Sequence, residues 1–136
     1  MPPRVYVHIG LQKTGTSYLQ SILRESREAL RAQGLAVLPE RGAFELMLAV
    51  REKLDPAVDP PWAFGVVESL RRSVAELDVP TALVTQETLS VATGRQIPTL
   101  LDAIGAAETH LVVTVRDLAR VIPSLWQQRT LSLIHI

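Results

Sequence analysis

The chain of 136 residues predicts an α/β domain with a central parallel sheet flanked by helices. Three observations lead there. Short apolar runs alternate with segments of helical period, turn residues separate them, and a glycine-rich loop joins the first apolar run to the first helical segment. Alternation of this kind implies right-handed βαβ units and a sheet covered on both faces.

Residues 4–9 (Arg-Val-Tyr-Val-His-Ile) form the first predicted strand. Residues 16–33 read as a helix, with Tyr18, Leu19, Ile22, Leu23 and Leu30 recurring at three- and four-residue spacing and Gly34 as its C-cap. Residues 35–38 make a short strand that Pro39 ends. Helices follow over 44–54 and 62–77, parted by a loop over 55–61 that is rich in proline and aspartate. A third strand covers 81–85, a short helix 97–104, and a fourth, buried strand 110–115 leads into Arg116 and Asp117. In 118–128 the apolar positions 118, 121, 122, 125 and 126 cluster on one side, with Arg120 and Ser124 opposite. Pro123 suits only a first turn or a kink, so a helix start near Ile122 would put Ser124 among first-turn amides, where phosphate is attracted.

Composition narrows the function. A net charge of zero argues against a general nucleic-acid binder, and 47% hydrophobic residues suffice for one modest core. With no cysteine there is no disulfide framework or thiolate metal site, and three scattered histidines make no zinc site. No run approaches the roughly 18 apolar residues of a membrane span. The first strand starts close to the first residue, so the expectation is a cytosolic protein without anchor or signal peptide. The last six residues, Leu-Ser-Leu-Ile-His-Ile, match one translated frame of a transposon-end adaptor (CTG TCT CTT ATA CAC ATC). The reading is therefore a natural segment over 1–130 with an adaptor-derived tail over 131–136, which removes His135 from consideration.

Ligands of parallel sheets gather at the carboxyl ends of strands. That rule selects the loop at 10–17, Pro39 with Glu40, Gln86 with Glu87, and Arg116 with Asp117. The loop Gly-Leu-Gln-Lys-Thr-Gly-Thr-Ser carries cationic and hydroxyl donors at Lys13, Thr14, Thr16 and Ser17. Gly10 and Gly15 permit a sharp turn and close approach to an anion. Their spacing fits the nucleotide P-loop G-x-x-x-x-G-K-[ST], but Thr16 stands where that motif has lysine. Lys13 lies inside the loop and would meet a different ligand atom than the β- and γ-phosphates.

The order Lys-Thr-Gly-Thr-Ser after an N-terminal strand resembles the 5′-phosphosulfate loop of PAPS-dependent sulfotransferases. An arginine at a strand end with a serine eight residues on, here Arg116 and Ser124, is similar to that family's site for the 3′-phosphate. Leu118 departs from the family's usual proline, and Arg120 stands one position early for a second arginine. The resemblance spans residues 5–128. It implies a P-loop-like three-layer fold, truncated at its C-terminus, and transfer of a sulfuryl group from PAPS to an acceptor hydroxyl or amine. Lys13 would stabilise the leaving oxygen of PAP while Thr14, Gly15, Thr16 and Ser17 hold the 5′-phosphate. This chemistry requires no metal. The acceptor, a small molecule or a carbohydrate, is not legible, nor is the oligomeric state.

The acceptor proton needs a base. Glu87, past the third strand, has the right topological place, and Glu40 is the second candidate; either could instead cap a helix. His8 reads as a satisfied core histidine, with ligand contact as the alternative, and His110 as structural. Trp62 and Trp126 read as core, and Arg71 with Arg72 as a solvated helix face. Two other functions remain open: a P-loop-type nucleotide kinase or NTPase, with Asp117 as a possible magnesium ligand, and an inactive remnant that binds a phosphorylated ligand or nothing.

Overall fold

The computed structural model describes residues 3–105 and 108–134. In chain order the elements are β1 (Arg4–His8), α1 (Thr16–Glu25), α2 (Arg27–Ala32), β2 (Leu35–Leu38), α3 (Ala43–Val50), a 3-10 turn at Pro61–Gly65 and α4 (Val66–Ala75). After these come β3 (Thr81–Thr85), a second 3-10 turn at Glu87–Val91, α5 (Ile97–Ile104), β4 (Glu108–Val112) and α6 (Leu118–Ile134). The four strands form one parallel sheet in the order β2-β3-β1-β4. β1 therefore sits inside the sheet, with Val7 level with Val84 on β3 and Leu111 on β4.

Strand alternation decides the core. Val5 and Val7, Ala36 and Leu38, and Ala82 and Val84 all lie in one buried cluster with Leu46, Met47, Val50, Leu70, Leu100 and Ile104. Helices α3, α4 and α5 supply that layer and pack on one another. The other face is only partly covered: Tyr6, Leu35 and Leu83 line an open groove there. Helical coverage of both faces thus holds fully for one side alone.

Several sequence expectations need correction. The helix expected over 16–33 breaks at Ser26, whose amide closes α1 by bonding to the Ile22 carbonyl at 2.9 Å while its own carbonyl opens α2. The helix expected over 44–54 stops at Val50, because Glu52 turns to φ 58°. The start of the helix expected at 62–77 is a 3-10 turn. β4 begins and ends earlier than expected and is an edge, not a buried strand: Leu111 is 64% exposed. Parallel pairing lasts only as long as the partner strand does, and β1 ends at His8.

α6 starts at Leu118, not near Ile122, and carries Pro123 within it. Asp117 fixes the start, its side chain accepting from the Arg120 amide at 3.1 Å as an N-cap. Of the five apolar positions expected on its packed side, only Val121 is buried. Trp126 is 69% exposed, and Trp62 lies at the surface under the Arg41 guanidinium, 4.0 Å from its ring, so neither is core. α6 continues unbroken through residues 131–134, while His135 lies outside the described residues. Among the described residues, no helix is long and apolar enough to cross a membrane.

Candidate functional site

All four strands run parallel, so their carboxyl ends share one edge of the sheet. Two elements build the cleft there: the loop after β1 and the segment after β4. They are joined by reciprocal bonds, the Leu11 amide donating to the Thr114 carbonyl at 2.7 Å and the Thr114 amide to the Gly10 carbonyl at 2.5 Å. Arg116 then reaches back, its guanidinium donating to the Lys13 carbonyl at 3.3 Å. Arg116 therefore stands four residues beyond β4 and is placed by the loop, not by a strand end.

Both glycines turn at positive φ, but the close approach at Gly10 differs from that expected. A Cβ on Gly10 would meet the Glu87 carbonyl oxygen at 2.6 Å, so its close approach is to the backbone after β3 and not to an anion. Gly15, at φ +81°, is open: no atom lies within 4 Å of its would-be Cβ. It precedes α1 with no side-chain cap, and the first bond of the helix runs from the Leu19 amide to the Gly15 carbonyl at 3.2 Å. The amides of the first turn are thus left facing the cleft end of the helix. Lys13 holds φ 62°, a left-handed conformation that a lysine adopts at a cost.

Lys13, Gly15, Thr16, Ser17, Glu87 and Arg116 line one cavity of about 350 Å³, with Gln12 and Gln128 completing its wall. Thr16 is 2% exposed and its hydroxyl donates to the Glu87 carboxylate. Ser124 lies in the second turn of α6 and lines an adjoining cavity that it shares with Lys13 and Gln128. It has no place among first-turn amides. Arg120 is paired with Asp117 at 3.6 Å.

Glu40 stands apart. Its carboxylate is 4.0 Å from Arg31, and it lines a different cavity that includes no residue of the loop.

Thr14 is also drawn away from the cleft, by a hydroxyl network that runs to His8. Its hydroxyl donates to the Leu11 carbonyl at 2.5 Å. A hydroxyl has one proton, so in the 2.8 Å contact between Thr14 and Thr114 it is Thr114 that donates. Thr114 must then accept from His8 Nε2 at 3.1 Å. His8 is 2% exposed, and burial lowers its pKa from the ordinary 6.5, against an opposing pull from the Glu87 charge. The neutral ring carries its proton on Nε2, and Nδ1 accepts from the Thr85 hydroxyl at 2.8 Å. Thr85 and Thr114 were legible as polar residues in otherwise apolar runs. His8 was legible as a satisfied core histidine; that these two hydroxyls satisfy it was not.

No family model, curated protein or solved structure matches this chain.

The site rests on its own chemistry. One cation, a second cation held by the loop carbonyl, an uncapped helix start and a carboxylate converge on a small cavity. Such a set can hold an anionic group and place a base beside it. Among the described residues, no cluster of histidine and acidic side chains has the makings of a metal site.

Proposed function

We propose that this chain carries the donor site of a PAPS-dependent sulfotransferase on a P-loop-like fold. One observation carries the reading: Lys13, the uncapped start of α1 and Arg116 share a single cleft at the carboxyl edge of the sheet. The α1 amides and the Ser17 hydroxyl would hold the 5′-phosphate of PAPS. Lys13 would neutralise charge on the oxygen that leaves with PAP. Thr14 would serve through its backbone, since its hydroxyl is committed to Leu11. Arg116 and Ser124 would meet the 3′-phosphate.

Glu87 is the proposed base for the acceptor hydroxyl or amine. It lines the same cleft as Lys13, and Glu40 does not. The step would form a bond from the acceptor oxygen or nitrogen to sulfur, break the bond from sulfur to the bridging oxygen of PAPS, and pass the acceptor proton to Glu87.

A second reading, a nucleotide kinase or NTPase, draws support from the contact of the Thr16 hydroxyl with the Glu87 carboxylate, a pair that could share a magnesium ion. Calorimetry separates the two. Micromolar PAP binding without magnesium is expected. ATP binding that equals it and depends on magnesium would favour the kinase reading, and binding of neither would leave an inactive remnant.

A further inference from the structure

A second cavity, of about 340 Å³, opens beside the cleft described above, between the carboxyl ends of β2 and β3 and the start of α3. The two share no lining residue but are lined by successive turns of α1. Thr16 lines one cavity, Gln20 and Arg24 line the other, and steps of four residues advance about 6 Å along a helix. Its volume lies within the range of small-ligand pockets.

The walls mix signs. Arg24 and Arg27 can only donate, and the carboxylates of Glu40 and Glu45 can only accept. An anionic ligand would meet two carboxylates there, and a cationic ligand two guanidinium groups. A hydroxyl group both donates and accepts, so a polyol can satisfy both kinds of wall at once. Gln20 Nε2 and Arg27 Nε are buried and have no acceptor among the described residues, an unsatisfied state that is costly in a folded protein. Phe44, 57% exposed, adds an apolar surface at the rim against which the C–H face of a sugar ring can lie.

The rim is built in advance. Arg27 fixes the end of β2 by donating to the carbonyls of Pro39, at 3.0 Å, and Glu40. Gly42 leads into α3 at φ +83°, and a Cβ there would strike the Trp62 ring at 2.7 Å. Arg41 lies over that ring and takes no part in the cavity.

We infer that this cavity binds a neutral polyhydroxyl compound, of the size of a monosaccharide unit. Its role as the acceptor pocket rests on the sulfotransferase reading, since it lies one helical turn from the proposed donor site.

The test is titration of the full isotope-labelled chain with the methyl glycosides of glucose and galactose, followed by amide shifts. Glucuronate and glucosamine serve as charged counterparts. Saturable shifts at residues 24–27 and 42–45 are expected for a neutral glycoside, with either charged sugar at least about fivefold weaker. Replacing Gln20 and Phe44 together by alanine should weaken binding about tenfold, with the amide spectrum reporting that the fold is intact. Tighter binding of glucuronate or glucosamine would overturn the inference, as would no saturable shift with any sugar up to about 50 mM. PAP binding alongside absent sugar shifts would overturn this inference alone. Sugar binding in a chain that ignores PAP would uphold the polyol site and remove the donor reading.

Discussion

The Thr16 hydroxyl donates to the Glu87 carboxylate, tying the first turn of α1 to the end of β3 across the cleft. Sequence separation between the two is large, and their meeting depends on β1 and β3 being neighbours in the sheet. A carboxylate so held is oriented before any ligand arrives. Thr16→Val keeps the shape and removes the donor. It should lower stability by about 1–3 kcal/mol, as expected for a lost hydrogen bond to a charged group. Urea unfolding measures this, and an unchanged midpoint would mean the contact contributes nothing.

Lys13 joins charge to backbone strain. Lys13→Ala should weaken PAP binding by about 10–100-fold, the loss of a charge-assisted contact. Lys13→Gly loses the same charge but suits the left-handed conformation, so it should unfold at higher urea than Lys13→Ala. Equal PAP affinity in wild type and Lys13→Ala would remove the lysine from the site.

Gly10 is constrained by the Glu87 backbone. Gly10→Ala should cost about 2–4 kcal/mol, through a clash with main chain and an unfavourable φ of +106° together. Gly15→Ala meets no atom and should cost less, only what its φ of +81° demands. Denaturant unfolding of the two variants compares them directly, and the reverse order would contradict the packing.

His8 makes stability depend on pH in a defined direction. Its folded pKa is depressed, chiefly by burial, so the unfolded chain binds its proton first as pH falls. The contribution is fully present above the unfolded value near 6.5 and is lost as pH drops from there toward the folded value. His8→Gln should flatten that part of the stability profile. A wild-type profile flat from pH 7 to pH 5.5, with the imidazole titrating normally by NMR, would refute the assignment.

Among the described residues β4 is an outer strand of the sheet, with Leu111 on it and Val113 just past it exposed, a template for association. Leu111→Lys should raise the concentration at which light scattering appears, with little change in the unfolding midpoint. Scattering equal to wild type would place the association elsewhere.

Much of the fold was legible because its signals were local. Residues 35–38, 81–85 and 97–104 have the boundaries that their apolar runs and flanking glycine or proline imply. Failures arose where a distant partner decides the outcome. The run at 113–115 has strand composition, yet Thr114 is taken by the loop at Gly10 and Leu11. Trp126 has the spacing of a buried residue, but no layer lies over it among the described residues. Of the candidate site, the loop and Glu87 could be placed by the rule of strand ends. The commitment of the Thr14 hydroxyl, and the separation of Glu40 from the cleft, depend on side-chain partners that no spacing encodes.

The reciprocal bonds between Gly10, Leu11 and Thr114, with Arg116 clasping the Lys13 carbonyl, tie the loop to the segment after β4 at three points. The backbone points from which Lys13 and Arg116 project are therefore held relative to each other, and in the proposed donor site they would work as a ruler. Ligands would be sorted by the distance between their anionic groups more than by how much charge they carry. A molecule with one such group could engage one end only, however strongly it is charged.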